Sequence, residues 1–272
     1  TAKRGDSAEG STGRKRQKAP APKEKYDSET FVAPYAGVKI EIPHTPTGVK
    51  FIAKLAAEFD KHRDTNAAKK QSMYTKDKFF YFGIKAPEMR KITKDVLNEC
   101  PRLEDEDVAS AVAKAFEHRE RELHLAAIDI LVKRPLSIDL PTAKIFITTA
   151  SWWDSVDMLA INVVGPIVRQ NREEGSAVMR TWLSHPHLWL RRASVLHQLH
   201  YKEATDLPLL LHSCKAVMME KDFFSRKAVG WALRHHSRTD PESVRAFCAE
   251  HEEQLSTLSL KEATRLLPPS KP

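Results

Sequence analysis

The sequence predicts an all-α chain, most of it an α-solenoid. Three observations point that way. From about Val49 onward, one segment after another carries apolar residues at helical spacing. Only four of the nine glycines (Gly83, Gly165, Gly175, Gly230) lie beyond position 50, so little of that stretch is punctuated. Trp153, Trp189 and Trp231 recur at intervals of 36 and 42 residues, each with a charge one helical turn on: Asp157, Arg192 and Arg234.

Residues 1–30 hold no aliphatic side chain larger than Ala and mix Lys, Arg, Gly, Ser, Pro and Glu. Such a stretch cannot bury enough apolar surface to offset its chain entropy, so a disordered basic tail is expected. Its cluster "GRKRQK" reads either as an import signal or DNA tether, or as a solvated tail with no address. Residues 31–50, with "VKIEIPHTPTG", read as an extended lead-in.

The helical domain is expected over 51–268. "VKFIAKLAAEFDKHRD" places Phe51, Leu55 and Phe59 on one stripe, and "DVASAVAKAFEH" does the same with Val108, Val112, Ala115 and Phe116. Seven further amphipathic segments follow, several separated by turn signals such as "RPLS", "SHPH" and "RTDP". Roughly ten to twelve short helices, packed in sequence, suggest HEAT-like helical pairs with a period of ~40–47 residues. Equivalent faces of successive repeats would line one concave surface, basic apart from a single acid.

Lysine and arginine number 44 against 36 acids, a net charge of +8, which favours a polyanionic partner. No apolar run approaches the ~20 residues of a membrane helix, so no membrane role is expected. Three scattered cysteines fit reduced thiols in an intracellular protein rather than a disulfide framework. The histidine clusters around His185, His197 and His235 lack a Cys or carboxylate at zinc spacing, so no metal is expected. No nucleotide-binding glycine loop occurs. Trp152, Trp182 and Trp189 read as core, and Asp154 as an acid favourable to a helix N-terminus.

A groove with Arg192 and Arg234 suits a phosphate backbone, since guanidinium forks pair with phosphate oxygens. A carboxylate in that field needs either a structural arginine partner or a task. One task is stabilising a sugar that turns cationic as a glycosidic bond breaks.

In order and without large gaps over residues 51–265, the chain resembles the DNA alkylation repair family of AlkD-like DNA glycosylases. The resemblance is carried by "MYTKDKFFYFGIKAPEMR", "EHRERELHLAAIDIL", "SWWDSVD", "WLRRASVLHQLHYK", "FFSRKAVGWALR" and "LSLKEA". It implies a right-handed superhelix of HEAT-like repeats with DNA on its concave side. The implied activity is hydrolysis of the N-glycosidic bond of cationic alkylated purines, such as 3-methyladenine and 7-methylguanine, in duplex DNA. No cofactor would be needed, the base would not be flipped out, and an abasic site would remain. By position the resemblance makes Asp157 the catalytic acid, Trp153 and Trp231 the active-site aromatics, Arg192 and Arg234 the phosphate grips, and Tyr74 a DNA contact. Lys85 and Arg191 are further backbone contacts, standing where bacterial members carry uncharged or amide side chains. The basic tail is also absent from the short bacterial form. A monomer working wherever the DNA is (nucleus or bacterial cytoplasm) is expected. The competing reading is a non-catalytic HEAT-repeat DNA-binding or scaffold protein, or an adaptor for other proteins.

Overall fold

The computed structural model describes residues 35–269. The tail, its basic cluster and the first residues of the lead-in lie outside that range. Among the described residues helices are the regular elements, and the only β contact is one parallel bridge between Phe80 and Glu120. No described helix is long and apolar enough to cross a membrane.

Fourteen α-helical segments succeed one another: α1 (Pro46–Lys61), α2 (Thr65–Tyr74), α3 (Ala86–Asn98), α4 (Asp105–Phe116), α5 (Arg121–Leu131), α6 (Leu140–Thr148), α7 (Trp153–Leu159), α8 (Gly165–Gln170), α9 (Arg172–Leu183), α10 (Leu188–Leu196), α11 (Leu207–Val217), α12 (Phe223–His236), α13 (Pro241–Glu250) and α14 (Thr257–Ala263). A π turn, Ala160–Val164, joins α7 to α8 without a break. It has a local cause. Pro166 has no N–H to give and its ring crowds the carbonyl four residues back, so the helix widens and Gly165 bonds to Ala160 instead.

Local chemistry sets most helix starts. Asp139, Asn171, Asp206, Asp222, Asp240 and Ser256 each accept backbone N–H groups of the first turn, and proline fills an early position of α1, α3, α6, α8, α11 and α13. The same logic starts α1 at Pro46, inside the span read as lead-in. Thr45 caps Gly48 and anchors its own hydroxyl on Asp107 of α4 at 2.6 Å. The stripes read from the sequence face inward. Phe51, Leu55 and Phe59 are fully buried, as are Val108, Val112, Ala115 and Phe116, each large side chain contributing about 1.5–3 kcal/mol on burial.

Helix packing follows the chain in repeating steps. α3 packs on α5, α5 on α7, α7 on α10, α10 on α12 and α12 on α14, forming one row. α9 packs on α11 beside it. This is an all-α solenoid of helical repeats, in which each unit touches its neighbours in sequence.

Candidate functional site

Polar links cross the junctions of this row. Arg121 of α5 reaches Asp154 of α7, and Arg192 of α10 reaches back to Asp157 of α7. The Arg192 Nη1 also donates to the Phe224 carbonyl of α12 at 2.6 Å. Lys227 and Arg234 of α12 share Glu262 of α14. The linked residues are 28 to 35 positions apart, somewhat shorter than the period read from the tryptophans.

The helix α7 carries the centre of the site. It has two acids, at i and i+3, with Trp153 beside the first. Asp157 is held in a two-point contact: Arg192 Nε donates to Oδ1 at 2.7 Å and Nη2 to Oδ2 at 2.8 Å. The Arg192 side chain is 4% exposed and that of Asp157 14%, so the carboxylate shows an edge to solvent while its partner does not. Burial pushes the Asp157 carboxyl above the usual aspartate range, Arg192 opposes that push, and the nearby Asp154 charge adds to it.

Asp154 is more than a helix-dipole acid. Its carboxylate takes the Nε and Nη2 of Arg121, a side chain with no solvent exposure at all. The same guanidinium donates to the Ala150 carbonyl at 2.8 Å and the Ser155 hydroxyl at 2.7 Å, and lies 3.9 Å over the Phe79 ring. Ala150 sits at φ 48, a left-handed conformation that costs a non-glycine residue about 1 kcal/mol or more. Arg121 therefore locks the α6–α7 turn and with it the direction in which "SWWDSVD" leaves that turn. Next to it, Glu122 accepts the backbone N–H groups of Phe82, Gly83 and Ile84 at 2.8–3.1 Å. Gly83 is obligatory there: its φ is 97, and a Cβ would stand 2.1 Å from the Asp64 carbonyl oxygen. Sequence reasoning missed Arg121 and Glu122. The signal available was an Arg–Glu pair at the start of an otherwise apolar helix, "RELHLAAIDIL".

The aromatic residues divide into two groups. Trp152 and Trp189 are buried and pack with Phe224, ring centroids 4.9–5.8 Å apart, with Lys78 Nζ 5.1 Å from the Trp152 ring. Trp182 is buried in α9. Trp153 and Trp231 are half-buried. Trp153 meets Tyr74 edge to face at 6.0 Å, and Tyr74, at the end of α2, is 70% exposed. Trp231 stands seven residues after Phe224 on α12, two turns or ~10 Å along the same face.

The cations of the site are largely neutralised. Arg234 is engaged by Glu262, which burial pushes up but Lys227 and Arg234 hold below the usual range. Arg191 does not stand free: it grips both oxygens of Glu220 at 2.6 and 3.2 Å and the carbonyls of His185 and Pro186 at 2.8 Å. Lys85, ahead of α3, is exposed and in no ion pair among the described residues. The expected surface with a single acid is thus corrected. Asp154, Asp157, Glu220 and Glu262 all lie on this row or beside it, because packing brings acids from distant repeats against each arginine. Nor do the three Trp–charge pairs present alike, since Trp189 and Arg192 are both buried. No group of three or more His, Cys, Asp or Glu that could hold a metal ion occurs among the described residues.

This arrangement offers two partly exposed carboxylates of fixed orientation on α7, Asp154 and Asp157, with the half-buried Trp153 on the same helix and Arg191 and Arg192 on the adjoining one. Comparison with known proteins supplies the family. Residues 55–267 match the model of the DNA alkylation repair enzymes. A solved structure described as a predicted DNA alkylation repair enzyme from Enterococcus faecalis superposes with a TM-score of 0.68 at 28% identity, covering 76% of this chain and 98% of that one. Comparison with curated proteins gave no match. The chain belongs to the DNA alkylation repair enzyme family, and its role is in DNA repair.

Proposed function

We propose that the chain is a monofunctional DNA N-glycosylase that releases cationic alkylated purines, of the 3-methyladenine and 7-methylguanine type, from duplex DNA and leaves an abasic site. The observation that carries this reading is the Arg192–Asp157 pair, with a half-buried Trp153 one turn before the acid. The C1′–N bond breaks, and its electron pair neutralises the charge already on the base. The base therefore needs no proton, and no general acid has to be found. The sugar becomes an oxocarbenium ion, which the Asp157 carboxylate stabilises. Water adds to C1′ and its proton leaves to solvent or to Asp157. Because Arg192 engages both carboxylate oxygens, the charge is presented in one orientation and costs little reorganisation as the cation develops.

Trp153 and Trp231 offer faces for a cationic ring or sugar, an attraction worth ~0.5–2 kcal/mol each. Tyr74 extends the Trp153 surface outward to the DNA. As the family resemblance implies, the damaged base stays in the duplex and is read through backbone and sugar contacts. Arg234, Lys85 and Arg191 are assigned to the backbone side of the interface, whereas Arg192, 4% exposed and with Nε, Nη1 and Nη2 all engaged, orients Asp157 rather than gripping phosphate as expected. The protein works as a monomer wherever the DNA is kept.

The test is base release from a duplex carrying 7-methylguanine, with wild type and Asp157→Asn side by side. Wild-type release that the substitution abolishes supports the reading. Tight wild-type binding without release would replace it with a non-catalytic DNA-binding protein.

A further inference from the structure

Most cations of the helical row already have a carboxylate, as shown for Arg121, Arg192, Lys227 and Arg234. One cluster does not. On α12, His235 follows Trp231 by one turn on the face that also carries the Glu262-paired Lys227 and Arg234, and Arg238 follows in the turn after the helix. The turn after α10 brings His200 to His235, ring centroids 5.8 Å apart. Lys202 from that same turn and His235 line one small cavity. His200, Lys202 and Arg238 are exposed, and the side chains of these three and of His235 make no ion pair or hydrogen bond among the described residues.

The turn is held rigidly for an exposed segment. Lys202 sits at φ 53, strained for a residue with a side chain. Tyr201 anchors it from below, its hydroxyl donating to the Gly165 carbonyl at 2.5 Å. Arg169 and Arg172 lie over the Tyr201 ring at 5.8 and 5.6 Å, adding two more exposed cations. Thr205 closes the turn onto the Lys202 carbonyl with both its N–H and its hydroxyl.

We infer that His200, Lys202, His235 and Arg238 form a second DNA site, which grips backbone phosphates beyond Trp231 and takes up a proton as it does so. The inference rests on the reading of the chain as a DNA-acting enzyme. His235 is one turn, ~6 Å, past Trp231 on the same face, and about 16 Å past Phe224, which touches Arg192. A strand lying along this face would meet the unpaired cations after passing the aromatic residues.

The proton follows from the local charges. Burial first, then Arg238, His200, Arg234 and Lys202, hold the His235 ring below the usual histidine range. The neighbouring carboxylates do not cancel this. Asp206 caps α11, Asp240 caps α13, Glu262 pairs with Lys227 and Arg234, and Glu203 is exposed beside Lys202. His235 is therefore neutral in the free chain at neutral pH. A phosphate placed among these groups reverses the field and restores proton affinity.

The experiment measures binding of the whole chain to a fluorescent, undamaged 20-base-pair duplex between 50 and 200 mM salt, at pH 6 and pH 8. Each phosphate contact adds about 0.9 to the slope of log affinity against log salt, so Lys202→Ala with Arg238→Ala should flatten that slope by about 1.8. Wild type should bind more tightly at pH 6, and His200→Gln with His235→Gln should lose most of that gain. A slope within error of wild type in the first variant overturns the site, and an undiminished pH response in the second overturns the proton. The duplex is undamaged, so the result does not depend on catalysis. Absent base release with a flattened slope removes the glycosylase reading alone, and base release with an unaltered slope removes this site alone.

Discussion

Arg192 and Asp157 meet through two parallel hydrogen bonds of 2.7 and 2.8 Å, across the junction of α10 and α7. The pair is structural, and in the proposed reaction it is chemical as well. It ties two repeats together, and it leaves a carboxylate edge exposed in a fixed orientation. Asp157→Asn keeps the shape but removes the charge and one of the two acceptor oxygens, so one of the two Arg192 hydrogen bonds is lost. Base release from 7-methylguanine DNA should fall by at least ~100-fold, the usual scale for losing a transition-state electrostatic contact, with duplex affinity within a few-fold of wild type. Loss of binding in parallel with release would show the pair to be structural only.

Asp154 tunes that carboxylate. Its charge is one cause of the raised Asp157 proton affinity. If Asp157 must be ionised, the rate falls as pH drops through its raised pKa. Asp154→Asn removes a like charge, lowers that pKa and should move the acid limb of the pH–rate profile to lower pH. The substitution also leaves buried Arg121 with less compensation, so the melting temperature should drop as well. A profile that keeps its acid limb in place would dissociate the two acids.

Tyr74 contributes its ring rather than its hydroxyl to the contact with Trp153. Tyr74→Phe should release base at close to the wild-type rate. Tyr74→Ala should lose between a few-fold and ~10-fold, in keeping with an aromatic contact of about 0.5–1.5 kcal/mol. Equal losses in the two variants would assign the role to the hydroxyl.

Two buried histidines set the acid stability. His124 donates from Nε2 to the His118 carbonyl and accepts from Arg121 at Nδ1, a neutral ring among Tyr35, Phe79 and Phe116. Burial and Arg121 hold it down at about 3, and burial holds His197 at about 4. A depressed folded pKa means that stability is present above the unfolded value of ~6.5 and is lost as pH falls toward the folded one. Between pH 7 and pH 5 each ring should withdraw about 2 kcal/mol, read from urea unfolding at the two pH values. Unchanged midpoints would place a proton on these rings in the folded chain.

Gly83→Ala should destabilise by several kcal/mol, since the added carbon meets a backbone oxygen and the φ is left-handed. Thermal melting reads this directly. A neutral outcome would mean that the loop held by Glu122 moves freely.

The all-α class, the inward stripes of α1 and α4, and the residues that match the family were legible in the chain itself. Helical periodicity, caps and proline positions act over a few residues, so they can be read locally. The burial of Trp152, Trp182 and Trp189 and the half-buried standing of Trp153 and Trp231 agree with the division drawn from core preference and the family resemblance. Helical periodicity does not supply that division, because only packing separates a core ring from a surface one. The same holds for the charges. Arg192, Arg191 and Arg234 look alike in sequence, yet their partners lie about 30 residues away in neighbouring repeats. Which cations are neutralised and which stay free, as at Lys202 and Arg238, was decided by how the helices stack.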